Sequence, residues 1–295
     1  MTDCSYKLPL SWQLCSSASQ TRRPLFFSQA DWIESATLKN ETDLVTLLQQ
    51  KLQAKKAIAI RGINASVAKD FTTNHGTVFQ TGIEAVIQLS NTGWHRSSLR
   101  ELSRRAFRFG HIVGHPAMPY PDVAKLRSES VYAKLPALNG LYLSNESGWL
   151  RGWSFVVDDK PVGLVTISQR GQHEFHTEML LRSVHAPQGT MEALILHAAG
   201  QLKLEGGEEL SLGECPFMIG DPPNLKIHKF GRLIQRAYSI EGLYRFKAKF
   251  DPIWRPVFLG SQRPLLLTLI DLFFETGCAK LWLVSIFKRR QKVTN

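Results

Sequence analysis

The residues best suited to chemistry lie between His173 and Phe217, with two lysines further along the chain. From His173 to Arg182 the sequence alternates with period two, setting Phe175, Thr177, Met179 and Leu181 on one side and His176, Glu178, Leu180 and Arg182 on the other. A spacing of four places Glu178 and Arg182 on one strand face, where they either form a salt bridge or handle a substrate together. His176 shares that face and is either a general base or a hydrogen-bonded neighbour. Lys247 and Lys249 flank Ala248, so an extended segment would point both the same way, inside a packed surround of Phe246, Phe250 and Trp254. Glu214 and Cys215 close a strand at a rim where ligands bind, and Cys215 reads as a small core residue rather than a nucleophile. Arg96, Arg100, Arg104, Arg105 and Arg108 fall in a run whose Leu99, Leu102, Ala106 and Phe109 keep helical spacing, with only Glu101 to offset them. That helix presents either a solvated face or a set of phosphate contacts. There is no Ser/His/Asp signature, Walker loop or useful Gly-x-Gly-x-x-Gly run.

The elements that must position these groups are legible around them. Ala186-Pro187-Gln188-Gly189 breaks the strand, Thr190 fits an N-cap, and Met191, Leu194, Ile195, Ala198 and Leu202 keep helical spacing up to Gly206-Gly207. Glu209 to Gly213 resumes alternation, and Pro216 limits it. This predicts a βαβ unit whose turn at Gly189 leaves free backbone N–H groups at a helix N-terminus, an anion site. Ahead of it, 152–157 and 161–169 form a hairpin turning at Asp158-Asp159-Lys160, preceded by a loop over 110–121 and a helical stretch over 121–135. Earlier, Leu44 to Leu52 is an amphipathic helix, 57–62 a buried strand, 67–75 a second helix, and 77–82 and 84–89 two short strands. Residues 1–40 show little periodicity and read as a lead-in segment. The pattern is α/β with a mixed sheet, divided as 41–93, 94–260 and a tail 261–295.

Composition narrows the partners. The chain of 295 residues is 43% hydrophobic and 21% charged, too apolar for disorder. Its net charge of +11 favours a polyanion, either nucleic acid or an acidic membrane surface. Cys4, Cys15, Cys215 and Cys278 are scattered without metal-ligand spacing, which fits a reduced cytoplasmic setting and no metal. The start of the sequence lacks the apolar core of a signal peptide. The stretch from Leu265 to Phe287 is interrupted by Asp271, Glu275 and Lys280, so it lies on a surface rather than spanning a bilayer. Its closing Lys288, Arg289, Arg290 and Lys292 either dock on anionic headgroups or follow a helix that caps the core.

Gly242-Leu243-Tyr244-Arg245-Phe246-Lys247-Ala248-Lys249-Phe250-Asp251-Pro252-Ile253-Trp254-Arg255-Pro256-Val257-Phe258-Leu259 resembles the closing motif of the C-terminal domain of phosphatidylglycerol lysyltransferases, G-L-x-x-F-K-x-K-F-x-P-x-W-x-P-x-Y-L. Phe258 stands where tyrosine is usual. Gly82-Ile83-Glu84-Ala85 with Leu89, the helix from Leu99-Arg100 to Gly110, the turn at Ala186 to Gly189, and Leu212-Gly213-Glu214-Cys215-Pro216 are similar to further blocks of that family in the same order. The resemblance spans roughly Glu41 to Gly260. One departure concerns the central strand, where several members carry Asp-Leu-Met-Arg; here Met179-Leu180-Leu181-Arg182 leaves Glu178, four before Arg182, as the nearest acid.

The resemblance implies tandem acetyltransferase-like (GNAT-like) folds, the first shortened, that move an aminoacyl group from aminoacyl-tRNA to a hydroxyl, most simply that of phosphatidylglycerol. It implies Arg182 and Lys249, meeting at one cleft, as donors to the tRNA terminus or the developing charge, with Glu178 orienting Arg182 or the substrate amine and His176 as base. Substrate binding would fall to Lys247, Glu214, Gly189 and the arginines Arg100, Arg104, Arg105 and Arg108. No cofactor is needed, because the tRNA ester is already activated. The implied partners are aminoacyl-tRNA and an anionic phospholipid surface, in the cytoplasm, with peripheral attachment to the inner membrane face left open. Two alternatives stand beside this. One is a coenzyme A-dependent N-acyltransferase, against which Arg182 to Gly189 supplies a single glycine for a pyrophosphate loop. The other is a non-catalytic basic module that binds RNA or membrane.

Overall fold

The computed structural model describes residues 6–115, 120–130, 132–136, 138–143, 151–220, 225–234 and 238–293. The first strands come from the segment that shows least pattern in sequence: β1 (Gln13–Leu14), β2 (Ser19–Pro24) and β3 (Asp31–Leu38). Neither longer strand alternates, for opposite reasons. β2 pairs only with β3 and is mostly exposed, whereas β3 is buried on both faces. Trp12 and Trp32 are fully enclosed, so residues of the expected lead-in belong to the core.

Next come α1 (Thr42–Leu52), β4 (Ile58–Ile63), α2 (Ala65–Thr73) and β5 (Thr77–Gln88). α2 starts where the Asn64 side chain accepts from Val67 N, and α1 buries the stripe Leu44, Leu48 and Leu52. The two strands expected over 77–89 are one, with its register irregularity at 81. The chain continues through α3 (Ser97–Ala106), β6 (His111–His115), α4 (Tyr120–Ser128), β7 (Arg151–Val157), β8 (Lys160–Gln169), β9 (Glu174–Arg182), α5 (Thr190–Leu204) and β10 (Glu209–Pro216). β6 takes part of the expected 110–121 loop and pairs with β7. The β7–β8 hairpin turns at Asp158 and Asp159, both at positive φ (47° and 57°), as a tight turn requires. After β11 (Met218–Ile219), β12 (Lys226–Ile227) and α6 (Lys229–Ile234) come α7 (Ile240–Ala248), β13 (Ile253–Ser261), α8 (Leu265–Glu275) and α9 (Cys278–Val293).

Eleven described strands form one mixed sheet in the order β1-β3-β4-β13-β5-β10-β9-β8-β7-β6, with β2 beside β3. The plan repeats. β2 and β3 are antiparallel and α1 carries β3 to parallel β4; β8 and β9 are antiparallel and α5 carries β9 to parallel β10. The chain thus holds two units of the same plan in tandem, as the expected tandem fold requires. Their closing strands interlock, because β13 is inserted between β4 and β5, and β5 then pairs with β10. Neither unit completes its sheet without a strand from elsewhere in the chain. One core packs α3 and α5 on β5 and β7–β10 through Ile87, Phe155, Val165, Leu194 and Leu210; another packs α1 and α2 on β3 and β4 through Leu44, Leu48, Ile60 and Phe71.

Candidate active site

β9 and β10 pair over only three residues, Glu174↔Glu209, Phe175↔Leu210 and His176↔Ser211. Beyond that point each strand follows its other neighbour, and both carry an irregularity. β10 slips against β5 between Ser211 and Glu214, at Gly213 with φ +82°. On β9, Thr177 pairs with Ile167 and Leu180 with Val165, so two residues, Glu178 and Met179, oppose one, Thr166. Such a bulge reverses which side chains face which layer. The Met179 N–H freed by it donates to Thr166 Oγ1 (3.0 Å).

The bulge overturns the expected pairing of Glu178 with Arg182. Phe175 and Leu180 pack in the α5 core, while Met179 and Leu181 pack with Val123 and Leu126 on the other side. Arg182 lies opposite Gly163, whose absent Cβ would meet Thr190 and Leu194 of α5, so Arg182 belongs to the α5 side. It is exposed there, with no hydrogen-bond or ion-pair partner among the described residues. Glu178 faces the opposite layer and is buried, accepting from Ser168 Oγ (2.5 Å) and from Leu143 N (2.6 Å). Burial pushes its carboxyl up to about 7, against the pull of these two hydrogen bonds and of Arg170.

His176, Lys247 and Glu214 do come together. His176 is buried with Nδ1 on Ser211 Oγ (3.0 Å), and Gly213 N donates to the same hydroxyl (3.0 Å). The His176 ring and the Lys247 ammonium lie 3.4 and 3.6 Å from the point a Cβ on Gly213 would occupy. Lys247 is 3% exposed and donates to the Glu214 carbonyl oxygen (2.9 Å). Burial lowers its pKa, partly offset by Cys215, Glu214 and Glu84. Burial, then the charges of Arg170, Lys247 and Arg61, hold His176 well below the usual imidazole value, so the ring is neutral at pH 7. The Glu214 carboxylate is itself committed, to Arg61 (2.9 Å) and Thr81 Oγ1 (2.7 Å).

The remaining expected residues lie apart from this cluster. Lys247 is inside helix α7 and Lys249 is its C-cap, so the two do not point the same way as an extended segment would require. Lys249, 43% exposed, binds Glu192 Oε1 (2.8 Å) in the first turn of α5. Gly189, not Thr190, is the N-cap of α5, at φ +93°. A Cβ there would lie 2.1 Å from the Leu102 carbonyl oxygen, so this glycine is required by the close approach of α3. Arg100, Arg104, Arg105 and Arg108 are exposed on and just beyond α3, with Glu101 paired to Arg104 (2.8 Å) and Arg105 (3.0 Å). Burial pushes the Cys215 thiol up to about 11, which disfavours a nucleophilic thiolate. The basic cluster at 288–292 has its side chains outside the described residues.

Several groups at the site escape sequence patterns. A balanced network joins the two units: Lys7 to Glu174 (2.7 Å) and Glu209 (2.8 Å), Arg255 to Glu209 through two hydrogen bonds (2.6 Å each), Arg170 to Glu84, and Arg61 to Glu214. Despite burial, Arg255, Lys7 and Gln88 hold Glu209 down at about 2. Thr177, the first residue of β9 past the last β10 pair, has a buried hydroxyl with no partner among the described residues. The available signal was a charge inside an apolar strand, as at Arg61 and Glu84. Among the described residues no cluster of His, Cys, Asp or Glu could hold a metal ion.

The profile of the family described as "Phosphatidylglycerol lysyltransferase, C-terminal" matches residues 39–260. The chain belongs to this family. Among solved structures, the C-terminal domain of a protein described as a lysylphosphatidylglycerol synthetase from Agrobacterium fabrum has TM-score 0.66 at 18% identity, over 86% of this chain and 84% of that one. L-PGS from Bacillus licheniformis has TM-score 0.60 at 18% identity, over 80% and 77%. FemX has TM-score 0.53 at 9% identity, over 86% of each chain. A search of the curated proteins gives no match. Membership of this family makes the chain an acyl- or aminoacyltransferase-type protein, with the β9–β10 divergence at the centre of its second unit.

Proposed function

We propose that the chain transfers an aminoacyl group from aminoacyl-tRNA to a hydroxyl of phosphatidylglycerol or a related lipid. What carries the proposal, in a member of this family, is a buried ammonium and a buried imidazole bordering the space where β9 and β10 part, with the buried Glu178 carboxyl two residues further along β9. In the reaction the acceptor oxygen attacks the ester carbonyl, its proton passes to Glu178, the bond to the ribose oxygen breaks, and that oxygen takes the proton. A carboxylate with pKa near the working pH suits both halves of this transfer. Lys247, donating only to a carbonyl oxygen among the described residues, is the cation for the oxyanion. His176, neutral and tied to Ser211, shapes the site beside it.

The exposed Arg182 and the arginines of α3 are assigned to the tRNA. Lys249 acts through Glu192, fixing the first turn of α5. That turn already holds a carboxylate at its positive end, and Gly189 lies against Leu102; both speak against a coenzyme A pyrophosphate there. The setting that fits these substrates is the cytoplasmic face of a membrane.

The test incubates purified protein with total charged tRNA and phosphatidylglycerol vesicles and follows aminoacylated lipid by mass spectrometry. Product should require both substrates, and Glu178→Gln or Lys247→Met should slow its formation on the order of 100-fold. Absence of product with every amino acid, together with saturable binding of acyl-coenzyme A, would overturn the proposal.

A further inference from the structure

Helix α8 is apolar on both sides: Leu265, Leu269 and Leu272 pack against a core that includes Leu25, Trp32 and Leu259. Its polar residues Thr268 and Asp271 are buried. Thr268 Oγ1 shares a hydrogen bond with Ser261 Oγ (2.8 Å), while Asp271 accepts from Phe27 N (2.8 Å), Ser28 N (2.8 Å) and Ser28 Oγ (2.7 Å). These bonds fix the rotation of the helix. At about 100° per residue, Leu266, Leu267, Ile270 and Phe274 then fall on the outward arc. Leu266 and Phe274 are 64% and 60% exposed, and Phe26, in the loop that Asp271 holds, is 77% exposed. The partly exposed Phe27 beside it extends the same apolar surface.

The charges around this surface identify its partner. Arg263 just before α8 and Lys280 just after it are exposed, as is Lys55 in the turn after α1. That turn is tied to the same corner, because Gln262 donates to Leu52 O (2.7 Å) and Ile58 O (3.0 Å). An apolar stripe with cations at both ends matches an anionic bilayer. A second copy of the chain on a two-fold axis would bring these cations toward one another.

We propose that the outward face of α8 and the Phe26–Phe27 loop form a bilayer-docking surface, with α8 lying in the headgroup layer of an anionic membrane. No helix among the described residues is long and apolar enough to cross a membrane, and an eleven-residue helix with this face suits insertion parallel to the surface. The proposal deepens the lipid-acceptor reading above and rests on it for its purpose.

The test is co-sedimentation of the full chain with vesicles of phosphatidylglycerol and phosphatidylcholine, against phosphatidylcholine alone. The wild type should prefer the anionic vesicles. Phe26→Ser with Phe274→Ser should weaken that binding about 10-fold or more, and Arg263→Glu with Lys280→Glu by a similar factor, with unchanged thermal unfolding because all four side chains are exposed. Transfer to a short-chain phosphatidylglycerol dissolved as monomers should survive both pairs of substitutions, whereas transfer to vesicles should fall with binding. Wild-type-like vesicle binding by both variants would overturn the docking surface even if transfer persists. A dimer in light scattering that the aromatic variant dissociates would also overturn it. Intact vesicle binding that both variants weaken, with no transfer to any lipid, would leave the surface standing and remove the aminoacyltransfer reading instead.

Discussion

Replacing Glu178 by glutamine separates its charge from its shape. The amide oxygen can still accept from Leu143 N, and the amide nitrogen can donate to Ser168 Oγ, which turns from donor to acceptor. What disappears is a carboxyl whose pKa is about 7 when folded against 4.5 ordinarily. Such a group binds its proton more tightly in the folded chain, so its contribution to wild-type stability is fully present below pH 4.5 and is lost as pH rises through 7. Each tenfold in the proton equilibrium is worth about 1.4 kcal/mol, so this interval amounts to about 3 kcal/mol. The variant lacks that loss. Urea unfolding of both proteins at pH 5, 6, 7 and 8 should show the stability difference moving in the variant's favour by about 2.5 kcal/mol across this range, mostly complete by pH 8. A difference that stays flat across this range would refute the burial argument for Glu178. A variant that gains stability at pH 8 yet transfers as fast as wild type would leave the electrostatics intact and remove Glu178 as the base.

Lys247→Met keeps the length of a fully buried side chain and removes its ammonium; urea unfolding should change by no more than about 2 kcal/mol while activity falls on the order of 100-fold, because the one hydrogen bond given up among the described residues is to a carbonyl oxygen. Trp32→Ala, at a position 1% exposed in β3, should cost about 3–5 kcal/mol in the same assay, which a dispensable lead-in would not. Gly189→Ala places a Cβ against the Leu102 carbonyl oxygen at a positive φ, and should lower stability by at least about 2 kcal/mol by pushing α3 from α5. Its thermal midpoint should drop accordingly, whereas Gly200→Ala, with open space around it, should raise the midpoint slightly.

Local pattern made the second unit readable. The alternation of β8 and β9, the Asp158-Asp159 turn and the apolar spacing of α5 each follow from neighbours within a few residues, and the βαβ arrangement is the outcome. The lysine-rich closing block pointed to the family now matched over residues 39–260. The first strands were not readable, because an exposed edge and a strand buried on both faces each erase alternation. The site residues divide in the same way. Lys247 stood out by its surroundings of aromatic residues, but its distance in space from Lys249 depends on α7 being helical, which the spacing of two lysines does not express.

The sequence by itself determined which groups are available: a basic chain, a strand bearing His176, Glu178 and Arg182, a glycine at 189 and a lysine at 247. Tertiary structure decided which of them meet. One extra residue in β9 sends Glu178 and Arg182 to opposite layers, and the parting of β9 from β10 near Gly213 leaves a space that Lys247 and His176 both border. Period-two counting holds only while a ladder stays in register, and that register is set by the partner strand rather than by the residues being counted.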